Sequence, residues 1–246
     1  MGLLQKALET YDAHIAIVGK VEAGHQPLAP IGHLLTKANI EITVDADGNM
    51  ADAREIGKDE DKIIIPVTED SAGRSRAPAA HALCDQLGYL SGEDEEKFNL
   101  YLEQLQNWES SPYSHPMLKP ILTYVRKRTI LTDLTSRGIN VSDEKQLVRW
   151  RVVGIGHESG PCWTNLGLFR SYTDWYRSIR VQDEKNNPSN LCMITGKVSV
   201  PAKQHPKGIV PINGNAKLIS ANDTENFTFR GRFTNASQAA TISYEA

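Results

Sequence analysis

The chain is poor in the features that mark membrane, secreted and metal-templated proteins. No stretch approaches the roughly 18–20 consecutive apolar residues that span a bilayer. The opening Met1-Gly2-Leu3-Leu4-Gln5-Lys6 lacks the basic segment and apolar core of an export signal. The cytoplasm is the expected location, with no membrane contact. Three cysteines, Cys84, Cys162 and Cys192, stand without Cys-x-x-Cys spacing, which argues against a disulfide framework or zinc ribbon and for buried free thiols. The seven histidines show no ligand spacing, so no metal or other cofactor is expected. A Walker A loop, a dinucleotide fingerprint, His-Glu-x-x-His and a nucleophile elbow are all missing.

What is present is a globular composition. With 246 residues, 40% of them hydrophobic, the chain can bury a sizeable core. Its net charge of -3 conceals an asymmetry. Residues 1–110 carry 9 Lys+Arg against 20 Asp+Glu, a balance of -11, whereas residues 111–246 carry 18 against 10, a balance of +8. A basic second half suits a surface that meets phosphate, and the acidic first half suits solvent or basic partner proteins.

Periodicity predicts a mixed α+β fold of short-stranded sheets and several amphipathic helices. Leu4, Leu8, Tyr11, Ile15 and Val18 recur at helical spacing and stop before Gly19, and a linker rich in Gly and Pro follows. Ile40, Ile42 and Val44 alternate with polar residues and run into Asp47-Gly48, a hairpin signal. The tetrad Asp45-Ala-Asp47-Gly48 is read as that turn, because a calcium loop needs Glu at its twelfth position, where Ile56 stands. Lys62 to Thr68 reads as a strand that Pro66 places at an edge or end. A basic loop, Ser71 to Pro78, leads to an apparent helix ending near Gly92, and Phe98, Leu102, Leu105 and Trp108 predict another. Met117 to Leu134 predicts a further helix carrying Arg126-Lys127-Arg128, a trio read as solvated surface.

Val148, Trp150 and Val152 alternate with Arg149 and Arg151, the pattern of a half-buried strand whose outer face displays two guanidinium groups. Phe169, Tyr172, Tyr176 and Ile179 form a helical stripe read as core rather than as a base-stacking platform. Short strands are expected at 191–195, 217–220 and 227–229. The helical stretch at about 93–137 suggests two lobes, a hairpin and basic-loop lobe at 1–92 and a helical then mixed basic lobe at 93–246.

Two segments carry candidate chemistry. Gly156-His157-Glu158-Ser159-Gly160 holds acid/base and nucleophilic groups, but adjacent side chains in a turn do not normally converge. An enzyme using His157, Glu158 and Asp174 is therefore the minor reading, and no catalytic residue is assigned. The second segment is Cys192-Met-Ile-Thr-Gly196 followed by Lys197, Lys203, Gln204 and His205-Pro-Lys207-Gly208. A short strand turning at Gly196 would deliver a basic loop whose Lys and His side chains meet phosphate. A plain connection near a sheet edge fits the same composition.

This segment also carries a family likeness. Cys192-x-Ile-Thr-Gly196, then His205-Pro-Lys, then Ser220-Ala-Asn222 and Phe227 resembles the central part of the large subunit of the type I-C CRISPR surveillance complex, Cascade (Csd-type). Leu3 to Leu8 with Tyr11, Ile40 to Asn49, Ile64-Ile65-Pro66, Leu83-Cys84-Asp85 with Tyr89-Leu90, and Val148 to Val153 before Gly156-His157-Glu158 resemble further blocks of it in the same order. The family loop usually reads Arg-Thr-Ser-Gly, where this chain has Gly73-Arg74-Ser75-Arg76.

The resemblance implies the N-terminal α+β region of that subunit, spanning 1–246 without the family's C-terminal helical bundle. It further implies a non-catalytic, nucleic-acid-binding role in antiviral defence: help in recognising the short motif beside the target (PAM recognition), DNA-binding, and contact with the RNA-guided assembly, the guide RNA itself reading the sequence. The implied partners are target double-stranded DNA, the guide RNA ribonucleoprotein with the Cascade backbone subunits, and a recruited helicase-nuclease. The residues it points to are Arg74, Ser75 and Arg76 in the first basic loop and Lys203, His205 and Lys207 beside Lys197 in the second, with Arg230, Arg232 and Asn235 extending the track. A structural or inhibitory module occupying the large-subunit position is the competing expectation.

Overall fold

A computed structural model describes residues 2–20, 27–74, 77–182, 189–205, 216–217, 219 and 240–246. In chain order these form α1 (Leu3–Ala13), β1 (His33–Lys37), β2 (Ile40–Val44), β3 (Met50–Glu55), β4 (Lys62–Pro66), α2 (Glu69–Ala72), α3 (Leu87–Leu90) and α4 (Glu95–Glu109). There follow α5 (Leu118–Arg126), α6 (Ile130–Ser136), β5 (Val148–Val152), β6 (Gly160–Pro161), α7 (Leu166–Gln182), β7 (Asn190–Leu191) and β8 (Val198–Ser199). The fold is α+β, as the periodicity predicts. None of the described helices is long and apolar enough to cross a membrane.

The chain divides into two compact units, Gly19–Tyr176 and a second built from Met1–Val18 with Arg177–Ala246. The expected boundary near 92 is crossed by strand pairing, because β2 and β5 lie side by side.

The larger unit is organised around a four-stranded sheet of order β3-β2-β5-β6. β2 and β3 form the expected hairpin. In its turn the Asp45 carboxylate accepts the N–H groups of Asp47 and Asn49 at 3.0 and 2.8 Å. Gly48 has a φ of 73°, and a Cβ there would stand 2.6 Å from Thr123 Cβ, so only glycine fits. β2 and β5 run parallel, with Ile40, Ile42 and Val44 opposite Val148, Trp150 and Val152, all fully buried. α5 packs against both strands and sets Tyr124 edge-on to Trp150 at 5.9 Å. Tyr101 Oη and Trp150 Nε1 both donate to the Leu83 carbonyl, at 2.6 and 2.9 Å.

Four expectations are corrected by long-range contacts. First, the Gly/Pro-rich linker contains β1, which pairs antiparallel with β4 and places Pro66 at the end of the ladder opposite His33. Second, the segment before Gly92 is helical only over α3. Asp85 captures the N–H groups of His81 and Gln86, both at 2.7 Å, and the N–H groups of Leu87 and Gly88 donate to Gln146 and Glu144 carbonyls. Third, the helix expected over Met117 to Leu134 breaks into α5 and α6 at Arg128, whose φ is 56°. Its guanidinium pairs with Glu95 and lies 4.4 Å over the Phe98 ring, which holds the left-handed residue in place. Fourth, β5 is an interior strand, so Arg149 is not displayed.

The aromatic residues of the α7 stripe, Phe169, Tyr172 and Tyr176, are core as expected, whereas Ile179 at its end is exposed. Trp108 from α4 stacks on Trp175 at 5.9 Å and meets Tyr172 edge-on at 5.1 Å. The Trp108 indole donates to Ser171 Oγ at 3.0 Å.

In the smaller unit β7 and β8 form a two-stranded antiparallel hairpin, shorter than the strand expected at 191–195. The segment 241–243 lies along it: Met193 N–H donates to the Thr241 carbonyl and Ala202 N–H to that of Ile242, each at 2.8 Å. Most of the strands expected at 217–220 and 227–229 lies outside the described residues.

Candidate nucleic-acid interface

The first basic loop follows α2, which Thr68 caps through a reciprocal pair with Ser71. Arg74 turns inward. Its Nη1 donates to Asp85 Oδ2 at 3.0 Å and to the Ala79 carbonyl at 2.8 Å, and its Nη2 to Asp85 Oδ1 at 2.6 Å. The guanidinium also lies 4.4 Å over the Tyr89 ring. Asp85 has no solvent exposure. Arg74 thus anchors the base of the loop, its guanidinium held by Asp85, the Ala79 carbonyl and the Tyr89 ring. Ser75 and Arg76 lie outside the described residues. Beside this pair, burial pushes His81 down to about 4, although Asp85 favours its charged form; Arg74 opposes that form.

The second loop is the β7–β8 hairpin and the segment after it. Its turn closes through Gly196, at a φ of 69°, with Gly196 N–H donating to the Cys192 carbonyl at 2.9 Å and Cys192 N–H to that of Lys197 at 2.8 Å. Cys192 is buried beneath the turn, and its Sγ accepts N–H groups from Thr195 at 3.5 Å and Ser243 at 3.3 Å. Burial pushes this thiol up, but the Thr195 hydroxyl and the N–H groups of Thr195, Ser243 and Ile194 outweigh it and bring it to about 7. Cys84 and Cys162 are also free and buried.

The hairpin therefore lifts Lys197 into solvent at its tip, where Lys197 and Arg177 line one open cleft of about 700 Å³ with Glu9 and Asp12 of α1. Lys203 is exposed and His205 half-buried. Burial lowers the His205 pKa and the charge of Lys217 lowers it further, so this imidazole is a neutral hydrogen-bonding group near neutral pH. Lys207, Arg230, Arg232 and Asn235 lie outside the described residues.

The Gly156–Gly160 segment places Glu158 between two imidazoles. His157 is 93% exposed and stands 3.3 Å from Glu158. The second Glu158 oxygen lies 3.2 Å from Nε2 of His115, a nearly buried imidazole that no local pattern marks because it lies more than forty residues away in sequence. Ser159 Oγ accepts the Ile155 N–H at 3.0 Å, which makes it part of the turn. Asp174 sits on the exposed side of α7. Among the described residues no group of His, Cys, Asp and Glu side chains is placed to hold a metal ion.

The family model for the CRISPR-associated protein Cas_Csd1 matches residues 9–246. The chain belongs to the Cas_Csd1 family. The match covers both units, so the hairpin with Lys197 and the Arg74–Asp85 anchor are both parts of the Cas_Csd1 region. No curated protein matches this Cas_Csd1 chain significantly.

Proposed function

We propose that this Cas_Csd1 protein is a non-catalytic, nucleic-acid-binding large subunit of an RNA-guided type I-C CRISPR complex that contributes to recognition of the motif adjoining the target and to target DNA binding. The observation that carries the reading is the family match over nearly the whole chain, which makes other CRISPR components its expected partners. The β7–β8 hairpin adds local support, because a tight turn that holds an exposed Lys197 suits a phosphate contact. Beyond that short motif, sequence discrimination belongs to guide pairing in this scheme, and the protein supplies motif reading, affinity and orientation.

The test is target-duplex binding by the guide-loaded type I-C backbone with and without the protein, across salt concentrations and with the adjoining motif intact or scrambled. Motif-dependent stimulation is expected. Failure to associate with the backbone would overturn the subunit assignment.

One observation favours a second reading, a structural or inhibitory module in the same position. Leu3, Ile15, Ile17, Leu191, Met193 and Val198, all in the smaller unit, are large apolar side chains open to solvent. Such surface suits a protein partner. Association without any gain in duplex binding is the result that this reading predicts.

A further inference from the structure

One face of the central sheet carries a largely buried charge cluster built on one carboxylate. Glu41 of β2 stands opposite Arg54 of β3 and Arg149 of β5, and Thr43 stands opposite Arg151. The Glu41 side chain is 5% exposed and takes all three guanidinium groups. Arg149 is spent inside: Nε and Nη2 donate to Glu41 Oε2 at 3.0 and 2.6 Å, and Nη1 to the Glu60 carbonyl at 2.7 Å. Arg54 is spent between Glu41 and Glu60. The nearby Asp52, opposite Thr43 on the other side, is paired with Arg137.

Arg151 differs from its neighbours. Its Nε donates to Glu41 Oε1 at 2.7 Å and its guanidinium carbon lies 5.3 Å from the centre of the Trp163 ring, which also packs on Arg149 at 3.9 Å. The side chain is 35% exposed, and its two terminal amino groups make no hydrogen bond among the described residues. Three guanidiniums against Glu41 and Glu60 leave one positive charge in excess, and Arg151 is the member with donors to spare. Across from it, β6 leaves room: Arg151 pairs with Pro161, and a Cβ added at the preceding Gly160 would meet nothing within 4 Å.

We infer that Arg151 is a preorganised fork for one phosphodiester group of a nucleic-acid backbone. The Nε contact and the Trp163 ring fix the guanidinium plane, so the outer Nη pair presents parallel N–H donors without the ordering cost of a free surface arginine. The inference rests on the nucleic-acid-binding reading above. The phosphodiester can belong to target duplex or to guide RNA, and the donor geometry is the same for both.

The test has two arms. The first follows the side-chain NMR signals of ¹⁵N-arginine in the full chain, with Arg151 identified by its loss in Arg151→Lys, on titration with a short mixed-sequence DNA duplex, a single-stranded RNA and an Asp/Glu-rich peptide. The Arg151 signal should shift with one of the nucleic acids, which identifies the source of the phosphate, and stay in place with the peptide. A shift only with the peptide, or no shift at all, overturns the fork.

The second arm compares wild type, Arg151→Gln and Lys197→Glu in the guide-loaded complex. Loss of one phosphate contact should reduce the slope of log K against log salt by about 0.9 for duplex DNA and about 0.7 for a single strand. If the protein has no effect on duplex binding by the complex while the Arg151 signal shifts, the subunit reading fails and the fork stands. If the protein stimulates duplex binding and the Arg151 signal ignores both nucleic acids, the fork fails and the subunit reading stands.

Discussion

Arg74 and Asp85 meet as a two-point ion pair in which Nη2 reaches Oδ1 at 2.6 Å and Nη1 reaches Oδ2 at 3.0 Å, with the carboxylate closed off from solvent. Two backbone N–H groups, from His81 and Gln86, complete the coordination of Asp85. The pair ties the start of the basic loop to the segment before α3. Arg74 therefore acts on the loop through position, and its loss strands a buried charge.

Arg74→Ala should lower unfolding free energy by about 3–5 kcal/mol, the cost of leaving a buried carboxylate unpaired. Denaturant unfolding reads it directly. A change below about 1 kcal/mol would show that the pair does not hold the loop.

Lys197→Glu and Lys203→Glu should leave stability within about 0.5 kcal/mol, because both side chains are exposed. Under the proposed function they should weaken duplex binding and flatten its salt dependence. Unchanged affinity in the assembled complex would remove the hairpin from the interface.

Glu41→Gln should destabilise the larger unit by about 3–5 kcal/mol, since it leaves Arg149, only 2% exposed, without its principal partner. The expected signature is a lower unfolding midpoint with an unchanged denaturant slope.

Gly48→Ala should destabilise by about 1–2 kcal/mol from the left-handed backbone alone, before the clash with Thr123 is added. Asp47→Ala in the same turn keeps the backbone requirement satisfied and should cost much less. Equal losses for the two variants would rule out the backbone as the cause.

His81 gives a pH dependence of definite sign. Its folded-state pKa of about 4 lies below the ordinary value of 6.5, so the unfolded chain binds the proton first. Stability from this group is present above pH 6.5, falls as pH drops towards 4 and levels off below that, by about 3 kcal/mol at most. His81→Gln should flatten that part of the stability profile. An unchanged slope between pH 6.5 and 4 would assign the loss to other groups.

Local chemistry alone determined much of this protein. The Asp45–Gly48 turn, the helices α4 and α7, and the aromatic stripe that became core follow from positive φ, capping and periodicity within a few residues of each position. The ordered blocks from Leu3 to Phe227 likewise carried the family, because they need no knowledge of packing. Tertiary structure decided what the charged residues do. Arg74 and Arg151 are equally basic in sequence, but one is closed by Asp85, eleven residues on, and the other keeps two free donor groups because Glu41, more than a hundred residues away, holds only its Nε. The parallel pairing of β2 with β5 buried Arg149 and made its strand an interior one. Whether a cation is anchor, core or contact depends on which carboxylates the fold brings within about 3 Å of it, and those partners lie outside any local window of sequence.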